Sequence, residues 1–109
     1  MIEALLGSLS CERVLVFLQA REKGYARDMS TFFATSNRPI QLQLEKLEQG
    51  GILVSRMVGR TRVYEFNPRY PFLSELQALL GKVLSFYPED EQARLLMNRR
   101  RPRRKGKPS

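Results

Sequence analysis

A chain of 109 residues with a 42% apolar share suffices for one modest hydrophobic core, and that sets the expectation of a single domain. With no histidine and one cysteine, Cys11, it cannot form an internal disulfide and lacks the usual nitrogen and sulfur ligands of a zinc or copper site, so no metal and no cofactor are expected. The formal charge is +8, yet Arg99, Arg100, Arg101, Arg103, Arg104, Lys105 and Lys107 supply seven of the 19 cations; the remaining 12 face 11 acids, so the basicity is mostly a tail.

The first element is a short helix over Ile2 to Leu6. A second helix is predicted from Cys11 to about Lys23, with Ser10 placed to cap it, Glu12 at the positive end of its dipole and Gly24 as a left-handed stop. Val14, Leu15, Phe17 and Leu18 form its inner face. Tyr25 to Phe33 reads as a third helix that turns Met29 and Phe33 inward. Ala34 and Thr35 separate it from a fourth, Asn37 to about Gln49, capped by Ser36, with Pro39 in the first turn, where the missing amide hydrogen breaks no bond. At about 100° per residue, Ile40, Leu44 and Leu47 share one side of this fourth helix. Arg38, Gln41, Leu42, Glu45 and Gln49 share the other, flanked by Lys46.

Gly50 and Gly51 end that helix. Ile52 to Val58 and Arg62 to Phe66 are β-prone runs joined by Gly59, Arg60 and Thr61, which predicts a hairpin. After the turn-like stretch Asn67 to Pro71, Phe72 to Tyr87 returns to a helical pattern. Its apolar stripe of Phe72, Leu73, Leu76, Leu79, Leu80, Val83, Leu84 and Tyr87 is wider than a small core needs, which predicts a second chain packed on part of it. Pro88 ends that helix, Glu89, Asp90 and Glu91 open a short last one, and Leu95, Leu96 and Met97 give it something to bury. The expected organisation is a domain over residues 1–97 and a disordered basic tail over 98–109. No secretory signal and no membrane span is expected, which suits a reduced protein of the cytoplasm.

Two short helices followed by a hairpin, over Met29 to Phe66, predict a mainly α fold with a small β-hairpin: a winged helix-turn-helix with an additional C-terminal helix for dimerisation. Residues 2 to 87 resemble the ArsR-like winged-helix family of transcriptional regulators. Met29 to Leu44 resembles the helix-turn-helix. Leu44-Glu45-Lys46-Leu47-Glu48-Gln49-Gly50-Gly51-Ile52-Leu53-Val54 resembles the junction of recognition helix and wing. Tyr64-Glu65-Phe66-Asn67-Pro68 and Pro71-Phe72-Leu73-Ser74-Glu75-Leu76 are similar to a subgroup often encoded beside nucleotidyltransferase-like proteins. The chain departs from the family at Ala34, where the turn has glycine, at Phe32, a position normally small, at Thr35, where an apolar residue is common, and in lacking the paired cysteines or histidines of the metal-responsive members.

The resemblance implies a DNA-binding transcriptional regulator. The broad apolar stripe predicts a homodimer, and two-fold symmetry then predicts a palindromic double-stranded site. Repression, on the nucleoid, is expected because steric occlusion asks least of so small a protein. Carried over by position, Thr35, Ser36, Asn37, Arg38, Gln41, Leu42 and Lys46 meet the duplex: Arg38 suits a guanine edge, Gln41 an adenine, and Leu42 a thymine methyl or a protein partner. Thr35 and Ser36 suit phosphate oxygens. Arg60 and Arg62, with Arg56 nearby, suit phosphates or a minor groove, or else guard a sheet edge against pairing. Arg99, Arg100, Arg101, Arg103 and Arg104 either track phosphates or only solubilise the chain. Leu5, Leu76, Leu79, Leu80, Val83 and Tyr87 are the expected dimer interface. Rival readings are an adaptor for a nucleotidyltransferase-type protein partner and a nonspecific nucleic-acid binder led by the tail. Cys11 reads as a small buried residue, or as a redox sensor should its thiol pKa be low. With no histidine base, no phosphate loop and no nucleophile in a recognisable setting, catalysis is not expected.

Overall fold

The computed structural model describes residues 1–104, with side chains described through Leu96. Its elements are α1 (Glu3–Leu6), α2 (Leu9–Arg21), β1 (Lys23–Gly24), α3 (Ala26–Phe32), α4 (Asn37–Gln49), β2 (Leu53–Val58), β3 (Thr61–Phe66), α5 (Leu73–Ser85) and α6 (Glu89–Arg104). Side chains from Met97 onward, including Arg99, Arg100, Arg101, Arg103 and Arg104 of the basic tail, lie outside what is described, as do residues 105–109 altogether. No helix among the described residues is long and apolar enough to cross a membrane.

The core is organised around α2, which is buried almost all round: Val14, Leu15, Val16, Phe17 and Leu18 are all out of solvent. A helix apolar on every side must be covered on every side, and α4, α5 and α6 all pack against it. Its start lies earlier than the sequence predicts, because Ser8 and not Ser10 is the cap: the Ser8 hydroxyl accepts from the Cys11 amide at 3.0 Å. Its end also differs. Glu22 takes the left-handed conformation with φ 73°, and its amide donates to the Leu18 carbonyl at 2.7 Å. Gly24 instead lies in β1, where a Cβ would come within 2.7 Å of the Phe17 ring and 3.1 Å of the Met29 methyl.

That two-residue strand, absent from the sequence expectation, pairs antiparallel with β3 through Lys23↔Glu65 and Gly24↔Tyr64. The sheet order is β1-β3-β2, and the hairpin closes through Gly59 and Arg60 alone, with Thr61 in register opposite Val58. Gly59 has φ 62°, which glycine adopts without steric cost and which suits a two-residue hairpin turn.

The α3–α4 turn explains one departure from the family pattern. Ala34 occupies the left-handed region at φ 53°, so the alanine accepts the conformation a glycine would take. Phe32 is explained by its neighbours: Arg21 and Arg94 place their guanidinium carbons 5.1 and 4.5 Å from its ring centroid, and Phe17 meets it edge-on. Arg21 also donates to the carbonyl oxygens of Leu95 and Arg94, which fastens α6 to α2 and α3.

The packing of α5 on α2 corrects the expected interface. Leu80, Val83 and Tyr87 are buried within the chain itself, part of the core with α2 and Leu95, and are not available to a partner. The surplus stripe on α5 is largely absorbed by one chain. Leu76 is half-buried, while Leu79 and Leu5 are exposed, Leu5 by 70%.

Candidate nucleic-acid interface

The fourth helix divides as its residue spacing predicts. Ile40, Leu44 and Leu47 are buried against the core, and Arg38, Gln41, Leu42, Glu45, Lys46 and Gln49 are exposed. Among the described residues nothing covers this outer face; even Leu42 is 45% exposed. Ser36 stands at the N-cap position with extended backbone but makes no side-chain capping bond, so its hydroxyl is not committed to the helix. The Thr35 amide donates to the Ser30 carbonyl at 2.9 Å, which fixes the turn that leads into α4.

Asn37 has a structural tie. The Ser30 hydroxyl lies 3.2 Å from Asn37 Oδ1 and 3.1 Å from the Arg27 carbonyl, a shared donation that locks α4 against α3. Asn37 therefore keeps only its amide nitrogen for an outside acceptor.

Between α4 and the wing runs a cleft of about 400 Å³ lined by Tyr25, Arg27, Asn37, Gln41, Glu45, Arg60, Thr61, Arg62 and Tyr64. It brings together four of the residues the sequence nominates, Asn37, Gln41, Arg60 and Arg62. It adds Tyr25, Arg27, Thr61 and Tyr64, none of which the sequence nominates for DNA contact. The only sequence signal for Arg27 is a cation beside a helix start, and Thr61, expected in the turn, lies in β3. Three arginines against one carboxylate, Glu45, make the cleft basic, which suits a phosphate backbone.

Arg62 is held in place. Its Nη1 donates to the Ser55 hydroxyl at 3.0 Å, and that hydroxyl donates to Glu48 Oε2 at 2.8 Å, so a relay runs from α4 through β2 to β3. Arg56 departs from the expected cluster. Its cross-strand partner is Val63, whereas Arg62 is paired with Met57, so strand alternation turns Arg56 to the other face of the wing, 3.9 Å from Glu65.

Away from this face lies a buried acid that sequence reasoning read only as a dipole partner. Glu12 is 1% exposed; its carboxylate accepts from the Tyr87 hydroxyl at 2.6 Å, the Ile2 amide at 2.7 Å and the Met1 ammonium at 2.8 Å. Burial pushes its pKa up, but these donors outweigh burial and hold it below the ordinary carboxylate value. Burial, then the bond to Glu12, raises the Tyr87 phenol well above its usual value. Cys11 is buried too, and burial raises its thiol, which Lys46 only partly offsets. A raised thiol contradicts the redox-sensor expectation, because the thiolate is the reactive form.

No family model and no curated protein matches the chain. Among solved structures, that of Lactococcus lactis ZitR, a double mutant in its apo form, is similar with a TM-score of 0.54 and 15% identity over 89% of this chain and 82% of that one. The likeness is one of fold: a mainly helical winged helix-turn-helix with a small antiparallel sheet.

Proposed function

We propose that the protein is a sequence-specific double-stranded DNA-binding regulator of the ArsR-like winged-helix type, a repressor that acts as a homodimer on a palindromic site. The observation that carries this reading is the uncovered outer face of α4, with Arg38, Gln41 and Leu42, standing beside a basic cleft that includes Arg60 and Arg62. A helix of this kind fits the major groove, and its N-terminal residues reach base edges while the wing holds the backbone. Arg38 reads guanine, Gln41 adenine, and each good bidentate pair contributes about 1–3 kcal/mol of discrimination. Ser36, Thr35 and Arg27 take phosphates, and Lys46 adds charge at the flank. The tail arginines, Arg99 to Arg104, add phosphate contacts that steepen the salt dependence without specifying sequence.

Homodimerisation is supported by apolar side chains that one chain leaves in water: Leu5 and Leu9 on and near α1, Leu79 on α5, and Phe72 and Phe86 at the ends of α5. A two-fold dimer sets two recognition helices about 34 Å apart, one DNA turn, which is the geometric source of a palindrome. Repression is the reading because occluding a promoter asks only that the protein stay bound. Such a protein works in the cytoplasm, on the nucleoid.

Unbiased selection from a random duplex library tests this. The expected result is an enriched motif with two inverted half-sites. A library that returns no motif, together with capture of a nucleotidyltransferase-type partner, would replace the regulator with the adaptor.

A further inference from the structure

Three polar side chains from three elements meet on the α4 side of the wing: Glu48 from the last turn of α4, Ser55 from β2 and Arg62 from β3. In the ladder Ser55 pairs with Tyr64 and Met57 with Arg62, so Ser55 and Arg62 are diagonal neighbours on one face of the hairpin, a separation that a long side chain can span. The Arg62 guanidinium donates to Ser55 Oγ at 3.0 Å, and Ser55 Oγ donates to Glu48 Oε2 at 2.8 Å. An ionised carboxylate only accepts and a guanidinium only donates. The hydroxyl between them does both.

Exposure falls along this relay from the outside in. Arg62 is exposed and lines the basic cleft with Gln41 and Arg60, whereas Ser55 and Glu48 are half-buried and Tyr64, across the ladder from Ser55, is buried. The Glu48 charge is felt at this place: burial, and next the Glu48 carboxylate, raise the Tyr64 phenol above its usual pKa. The end that faces solvent is the cation, and the end anchored in the body of the protein is the acid.

We propose that Ser55 is a positioning residue for duplex binding: it passes the hold of Glu48 on α4 across to Arg62, so that a phosphate-binding cation of the wing is fixed relative to the helix that reads the bases. The inference rests on the DNA reading of this face and adds the means by which helix and wing act in register. A free arginine side chain gives up rotamer freedom when it meets a phosphate, and that ordering costs affinity. Arg62 has given up part of that freedom before the duplex arrives. The N–H groups of its fork that Ser55 does not engage remain for the phosphate. Ser55 acts through Arg62 and not by a contact of its own.

Ser55→Val and Ser55→Thr separate the hydroxyl from the shape of the side chain: the two replacements are similar in volume, both favour a strand, and threonine alone keeps the O–H. Affinities of the wild-type full chain, both variants, Arg62→Ala and the double variant of Ser55→Val with Arg62→Ala are measured on one duplex of shuffled sequence at fixed low salt, because phosphate contacts do not depend on sequence. Arg62→Ala should weaken binding, Ser55→Val should weaken it by about three- to tenfold, and Ser55→Thr should bind as the wild type does. On the Arg62→Ala background Ser55→Val should cause no further loss, a coupling that a merely structural role would not produce. The same loss from Ser55→Val on both backgrounds, an equal loss from Ser55→Thr, or wild-type affinity in Ser55→Val while Arg62→Ala binds less tightly would overturn the positioning role. Undiminished binding by Arg62→Ala, or no duplex binding by the wild type, would overturn it by another route, since the DNA reading of the wing then fails first.

Discussion

Glu12 shows what a residue type alone conceals. Its place in the first turn of α2 suggested only a favourable charge at a helix start, and that charge is there, but the side chain is turned into the core and shared among Tyr87, Ile2 and Met1. Tyr87 lies 75 residues away, so no local pattern could reveal the pair. Removing the phenol leaves a buried carboxylate short of a donor, and Tyr87→Phe should cost about 1–3 kcal/mol in urea unfolding. An unchanged midpoint would contradict the geometry. Because Glu12 has a folded pKa below its unfolded one, its contribution is present above the ordinary carboxylate range and is lost as pH falls through the folded value. Stability measured from about pH 5 downwards should therefore decline, and Glu12→Gln should flatten that decline.

At the scale of elements, the long amphipathic patterns were legible and the short ones were not. α4 matches its expected bounds because three apolar residues at helical spacing leave one consistent face, and β2 and β3 follow from β-prone runs on either side of a glycine. β1 was invisible because two residues carry no periodicity; only pairing with β3 makes them a strand. The caps of α2 went astray because two serines, Ser8 and Ser10, both suit an N-cap, and because Glu22 takes the left-handed end that Gly24 suits better. Gly24 is needed for a different reason, the close approach of Phe17. The turn between α3 and α4 gives a sharp test. Ala34 holds φ 53°, a region that costs an L-residue about 1–2 kcal/mol, so Ala34→Gly should raise stability, by less than that because glycine also gains freedom when unfolded. A clear loss of stability would show that the turn is not left-handed.

For the whole molecule, the main correction is where the apolar surplus goes. The stripe on α5 is too broad for a two-helix contact but not for this core: α2 is apolar all round and takes α5 along its length, so Leu80, Val83 and Tyr87 become core, and α6 covers a further side of α2. What remains exposed, Leu5, Phe72, Leu79 and Phe86, is a smaller surface for the proposed dimer. Sedimentation equilibrium at micromolar concentration should give twice the chain mass of 12.7 kDa, and Leu79→Lys should shift it towards the monomer. A monomer in the wild-type chain would remove the basis for a palindromic site. The candidate interface was legible to the extent that it sits on α4, whereas the displacement of Arg56 follows from the sheet register, and the place of Arg27 from the cleft that the start of α3 lines together with the wing.

The most direct measurement is the equilibrium affinity of wild-type chain and Arg38→Ala for the selected duplex and for a shuffled duplex of the same composition, at one fixed salt concentration. Sequence reading by the α4 face predicts that the variant loses about 1–3 kcal/mol on the selected duplex and little on the shuffled one. Equal losses on both, or no loss on either, would contradict it.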